Sequence, residues 1–242
     1  PFTSEVINNW EHTLAITITA GQVAALVANP SSITGYSASS TITIEGQITH
    51  TEASTLSSVA ATTITATVAP ATAALLGAIS VNSGRTNAFT LTTTDTSASA
   101  SALSAVKAIS SVAPVFTSVG AITASSTADI IALYTPVTNA GVSTNATLGN
   151  ETIAVSGATV AAADLNTIDA YTTGAVTTVA TTITGTAAAV ETALDSAGLI
   201  GTATDTTTTV DVTITDTTVP AEALNDVNDS TTGTVTVTSS AI

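Results

Sequence analysis

Residues 151–174 and 210–233 of this 242-residue chain are two copies of one pattern, related by an offset of 59 residues without a gap. The first reads ETIAVSGATVAAADLNTIDAYTTG and the second VDVTITDTTVPAEALNDVNDSTTG. Thr159, Val160, Ala162, Leu165, Asn166, Thr172, Thr173 and Gly174 recur as Thr218, Val219, Ala221, Leu224, Asn225, Thr231, Thr232 and Gly233. A repeated supersecondary unit cannot bury its apolar faces alone, so it must stack on its neighbours. Within the first copy, Ile153 and Val155 predict a strand, and a polar turn follows. Val160, Leu165 and Ile168 then mark a short helix, which Thr-Thr-Gly stops.

The same order runs through the rest of the chain. Strands are predicted at Leu14–Ile18, Thr41–Ile44, Thr62–Val68, Ala88–Thr93, near Val115–Ile122 and at Val176–Ile183. Helices are predicted at Gln22–Ala28, from an N-cap at Thr51, after Pro70 with Leu75, Leu76 and Ile79 apolar, at Ala100–Ile109, near Ser126–Tyr134 and at Ala187–Asp195. Pro30 stops the first helix, and Gly198 suits a C-cap of the one ending at Asp195. Helix centres fall roughly 20 to 34 residues apart, so two units fit the 59-residue offset. Residues 1–135 form the N-terminal part of the array, 136–150 a loop or insertion marked by Pro136 and Gly141, and 151–242 the C-terminal repeats. The expected fold is an α/β repeat: a right-handed parallel solenoid of strand–helix units of about 30 residues. The alternative is a string of small β-sandwich domains, with antiparallel Thr-rich strands and Ala-rich loops. The stripes Val160/Leu165/Ile168 and Val219/Leu224/Val227 favour the solenoid.

The phrase T-V-x-A-x-x-L-N-x-[I/V]-[D/N]-x-x-T-T-G-x-V occurs at Thr159–Val176 and Thr218–Val235. It resembles a motif of long, Lys-poor, Thr/Ala/Val-rich repeat proteins of bacterial, particularly cyanobacterial, surfaces. These are adhesin-like or haemolysin-type calcium-binding repeat proteins. The likeness covers about Glu151–Ile242 and is compositional before that. It implies an extracellular or cell-surface structural role. The glycine-rich calcium nonapeptides of such haemolysin-type repeats are absent from this sequence.

Composition narrows the partners. Apolar residues make up 44% of the chain, enough for a core, but aromatics only 3%, so Ala, Val, Ile and Leu must do the packing. Thr is roughly a fifth of the chain, a β-favouring bias. The formal net charge is −15, with Arg85 and Lys107 the only strong bases. Phosphate neutralisation needs cations, so nucleic acid is excluded as a partner, and an anionic membrane surface would repel the chain. The longest apolar stretch, Ala60–Ile79, is broken by its Thr residues and Pro70, short of a membrane span. There is no Cys, which removes disulfides and thiolate metal sites. The chain starts at Pro1 and holds no Met, as expected of a processed form or a segment of a longer protein. The only Trp, Trp10, is expected to cap an open core end, with carbohydrate stacking as the alternative.

Catalytic signals are sparse. His12 and His50 stand far apart in polar contexts, and no GxGxxG, P-loop or HExxH pattern occurs. Glu5, Glu11, Glu45, Glu52, Glu151 and Glu191 include no pair at a diagnostic spacing for glycoside hydrolysis. Asp205, Asp211, Asp216, Asp226 and Asp229 are the densest acids and the calcium candidates, with a solvated acidic face as the competing reading. Asn145, Asn150 and Asn228 open N-x-S/T sequons and are the glycosylation candidates.

The sequence therefore reads as a non-enzymatic structural protein: a segment of an extracellular filament, surface layer or adhesin stalk. A virion appendage or tail fibre is the first alternative, and a carbohydrate-active enzyme on a β-solenoid the second. No cofactor is expected beyond calcium, and surface glycans are an expected class of ligand. The 59-residue offset carries Ile183 onto Ile242, so the last copy stops after a strand and before its covering helix. Continuation of the chain or head-to-tail association of copies is the expectation that follows.

Overall fold

The computed structural model describes residues 14–139, 142–144, 148–196 and 209–238. Strands and short helices alternate along them. The strands are β1 (Ala15–Thr19), β2 (Thr41–Ile48), β3 (Thr63–Val68), β4 (Thr86–Thr90), β5 (Ser97–Ser99), β6 (Ala121–Ser125), β7 (Val137–Asn139), β8 (Val142–Thr144), β9 (Thr152–Val155), β10 (Thr159–Ala161), β11 (Val176–Thr178), β12 (Thr182–Gly185), β13 (Asp211–Ile214) and β14 (Val235–Val237). The helices are α1 (Val23–Ala28), α2 (His50–Thr55), α3 (Ala73–Gly77), α4 (Ala100–Ile109), α5 (Thr127–Tyr134), α6 (Ala162–Asp169), α7 (Ala187–Asp195) and α8 (Ala221–Asp229).

Three four-stranded sheets have the orders β1-β2-β3-β4, β5-β6-β9-β11 and β10-β12-β13-β14. Every pairing within them is parallel. The strands of each sheet follow one another in chain order, and a helix connects most neighbours. The antiparallel pairs and Ala-rich loops of the sandwich alternative are not what forms: Ala100–Ile109 and Ala187–Asp195 are helices. The one antiparallel pair among the described residues, β7 with β8, lies inside the 136–150 segment.

Alternation places the core. In AITIT and TITATV the isoleucines turn inward and the threonines outward, as period-2 geometry requires. Inward residues pair into ladders: Ile16–Ile42–Ile64, Ala98–Ile122–Ile153–Val176 and Val160–Ile183–Val212–Val235. The helices are too short to be stable alone. They hold by packing, α3 on α4, α4 on α5, and so on to α7 on α8. Leu26, Leu56, Leu76, Leu103, Leu133, Leu165 and Val190 are fully buried beneath them.

Several local expectations are corrected. The predicted strand Val176–Ile183 is two strands, β11 beside β9 and β12 between β10 and β13. The Thr178 hydroxyl accepts the Ala180 N–H at 3.1 Å at the bend between them, and Val179 there is 75% exposed. Val115 makes only an isolated bridge to Thr92, and the regular strand starts at Ala121. Thr49, not Thr51, caps α2: its hydroxyl accepts the Glu52 N–H at 3.1 Å, and its own N–H donates to the Glu52 carboxylate at 2.8 Å. Pro70 precedes the helix rather than opening it, because Thr72 is the N-cap. Leu75 faces solvent while Leu76 is buried. Trp10 and Gly198 lie outside the described residues.

Candidate functional site

The chemistry of this chain is concentrated at the junctions between successive units. The Thr-Thr-Gly phrase is one such junction. The Thr172 hydroxyl donates to the Glu151 carbonyl at 2.7 Å and accepts the Gly174 N–H at 3.0 Å. One repeat later, the Thr231 hydroxyl donates to the Val210 carbonyl at 2.7 Å and accepts the Gly233 N–H at 3.0 Å. Each threonine thus ties the turn before a strand to the start of the preceding strand, and both are buried. Glycine is required because the backbones touch: a Cβ on Gly174 would lie 2.3 Å from the Glu151 carbonyl oxygen, and one on Gly233 2.2 Å from that of Val210.

Helix starts form the second kind of junction. Thr72, Ser99, Ser126 and Thr186 each accept an N–H of their own first turn. A side chain from the following unit satisfies the first N–H of three of these helices. The Asp95 carboxylate accepts the Ala73 N–H at 2.6 Å, the Ser125 hydroxyl the Ala100 N–H at 3.0 Å, and the Asp216 carboxylate the Ala187 N–H at 2.7 Å. An acid there also meets the positive end of the helix. Sequence reading missed Asp95 and Ser125 in this role. The available signal was a small polar residue 22 or 25 positions after the first helical residue, about one unit on.

Both strong bases turn inward. Lys107 is 1% exposed. Its Nζ donates to the Leu133 carbonyl and, at 2.9 Å, to that of Thr135, covering the C-terminal end of α5. Arg85 donates to the Val59 carbonyl and, at 3.0 Å, to Asn87 Oδ1. Neither base pairs with a carboxylate among the described residues.

Burial holds the Lys107 ammonium below the usual lysine value of 10.5. Between that depressed value and 10.5 the unfolded chain binds more protons than the folded one, so stability rises with pH across the window. Below it both states are protonated and this contribution is flat. A urea-unfolding series should show this rise in the native chain and none of it in Lys107→Met. Identical alkaline profiles for the two proteins would contradict it.

The acids named from the sequence do not come together. Asp216 is a helix cap, as above. Asp211 accepts the Thr234 N–H at 2.7 Å, and Asp226 and Asp229 are exposed on α8. Asp205 lies outside the described residues, as do Asn145 and His12. No three His, Asp or Glu side chains converge on a common point among the described residues. Asn150 and Asn228 are both exposed, Asn228 on a helix surface. His50 is half-buried at the start of α2.

Glu151 departs from the acidic-surface reading. It is 1% exposed, and its carboxylate accepts the Tyr134 hydroxyl, the Gly149 N–H at 2.7 Å and the Asn150 N–H at 3.1 Å. The Tyr134 ring stacks on Tyr171 with centroids 4.9 Å apart. Val210 stands at the equivalent place one repeat later, so the two copies share the backbone junction and differ in what fills the space beside it. An open groove of about 600 Å³ is lined by Ala128, Ile131, Ala132, Thr135 and Pro136, with Asp164 its one charged group among the described residues. Asp164 already accepts the Thr127 hydroxyl at 3.0 Å. Among the described residues the groove has none of the several convergent polar groups of a small-molecule site.

Comparison with protein-family models, curated proteins and solved structures finds no match to this chain.

Proposed function

We propose that this chain is a non-enzymatic structural protein, a right-handed parallel solenoid that serves as a segment of an extracellular filament, surface layer or adhesin stalk. The observation that carries the reading is the recurrence of one junction 59 residues apart, with the same partners at the same distances. The polar chemistry goes into holding unit to unit: threonine to carbonyl, aspartate to the neighbouring helix, lysine to a helix end. A stack built that way has a repeating interface and can grow by adding units. The cell-surface placement rests on the motif at Thr159–Val176 and its resemblance to surface repeat proteins.

Head-to-tail association belongs to the same reading. Among the described residues β14 pairs on one side only, with β13, and α8 packs against α7 alone in the helix layer. Val235, Leu224 and Val219 are partly buried there, whereas Val176, Leu165 and Val160, one repeat earlier, are buried. A strand–helix unit like the one that covers the earlier residues fits the later ones, whether the same chain or a second copy supplies it. Electron microscopy of the purified chain over a range of concentrations tests this. Rods or sheets that lengthen with concentration are expected; single particles of one size throughout would defeat it.

A further inference from the structure

Tyr134 and Tyr171 are two of only three tyrosines in the chain. Tyr134 ends α5 and Tyr171 follows α6, so they stand on opposite sides of the 136–150 segment and of α6. Their rings lie 8° from parallel with centroids 4.9 Å apart. At that spacing an offset stack lays the edge of one phenol over the other. Tyr134 also donates its hydroxyl to the buried Glu151 carboxylate. Both rings are half-buried, so each keeps part of its surface in solvent.

Two further observations set this pair apart. The 59-residue offset carries Glu151 onto Val210 and Tyr171 onto Ser230. The carboxylate and the ring are thus present together in one copy and absent together from the other, although the backbone junction is the same in both. The chain also holds no Cys, no Met and a single Trp, so the side chains that ordinarily consume oxidants first are almost absent. The third tyrosine, Tyr36, donates to the Ala60 carbonyl at 2.7 Å and stacks on no ring among the described residues.

We propose that Tyr134 and Tyr171 form an oxidative modification site, at which a one-electron oxidant of the haem peroxidase class, supplied with hydrogen peroxide, joins them as dityrosine. Each phenol gives up one electron and its O–H proton. Tyr134 passes its proton to Glu151, the base already hydrogen-bonded to it, and Tyr171 passes its proton to water. The two phenoxyl radicals pair through ring carbons beside the hydroxyls, forming one carbon–carbon bond. The hydrogens on those carbons move to the oxygens and restore both phenols. Two electrons and two protons leave in all, and they reduce one hydrogen peroxide to two waters. The new bond bridges the 136–150 segment and α6, which restricts the unfolded chain. One molecule suffices, so the proposal stands or falls apart from the assembly reading above.

The test exposes dilute, purified chain to hydrogen peroxide and a haem peroxidase, and reads dityrosine by its fluorescence and after acid hydrolysis. Cleavage after Glu151 separates the two tyrosines, so the native chain should give their two peptides joined and lighter than their sum by two hydrogens. The native chain and Tyr36→Phe should couple within the monomer. Tyr171→Phe keeps a ring in the stack but loses the phenol, and should yield about tenfold less dityrosine, because only chance encounters remain. If that variant melts early, Tyr134→Phe is read in its place, with the same loss expected. Glu151→Gln removes the base and should slow coupling about tenfold without moving its site. Coupled native chain should also unfold at a higher urea concentration than uncoupled chain. Absence of dityrosine from the native chain overturns the proposal. So does dityrosine confined to dimers, or a yield undiminished in Tyr171→Phe. Coupling of Glu151→Gln at the native rate overturns the role given to Glu151.

Discussion

Leu165→Asp should unfold at a far lower urea concentration than Leu224→Asp, although the two leucines occupy the same place in the repeat. Leu165 is fully buried, with α6 packed between α5 and α7. Aspartate there loses the leucine's buried contacts and puts a carboxylate into an apolar interior, a combined loss of about 4 kcal/mol or more. Leu224 is only partly buried, because α8 packs against α7 and no later helix among the described residues. Its replacement leaves the new carboxylate access to water and should cost about 1–2 kcal/mol. The measurement is the shift of the urea midpoint followed by circular dichroism. Equal losses at both sites would mean that α8 is covered as fully as α6. Two small losses would mean that the 59-residue register does not describe the packing.

Gly174→Ala is the second substitution with a large expected effect. The added methyl would meet the Glu151 carbonyl oxygen at 2.3 Å, its carbonyl carbon at 2.6 Å and the Asn150 oxygen at 2.9 Å. These are backbone atoms, so no side chain can swing aside. Separating the two backbones stretches the bond from the Thr172 hydroxyl to the Glu151 carbonyl, which links the same segments. Overpacking and bond loss together should lower stability by about 3 kcal/mol. Gly185→Ala is the control: its methyl would come no closer than 3.2 Å, to the Ala162 Cβ, and should cost less than about 1 kcal/mol. Gly233→Ala should resemble Gly174→Ala, because its Cβ would lie 2.2 Å from the Val210 oxygen. If Gly174→Ala and Gly185→Ala melted together, the Thr-Thr-Gly phrase would be a turn preference rather than a close approach of two backbones.

Much of the local structure was legible in residue order alone. Ala100–Ile109 and Ala187–Asp195 form as the apolar spacing predicts, and the strand Thr62–Val68 differs by one residue at its start. These are local matters: side-chain periodicity and a nearby N-cap decide them. The bend after Thr178 was missed because Val176–Ile183 is rich in β-favouring Thr and Val; its apolar residues Val176, Val179, Ala180 and Ile183 break the alternation of a single strand, and its neighbours divide it between two sheets. The calcium candidates met the same limit. Acidity near Asp216 is plain in the sequence, but its use as a cap for Ala187 depends on a residue 29 positions away.

By itself, the sequence determined that strand and helix alternate, that the unit repeats, and which residues of each strand turn inward. Parallel pairing was expected from the repeat and is what forms; only the tertiary structure decided that Asp95, Ser125 and Asp216 cap helices of the preceding unit, and that Lys107 turns inward. The physical reason is range. Burial periodicity is set within a few residues, whereas each junction joins groups about one unit apart in the chain, and stacking alone brings those within hydrogen-bonding distance.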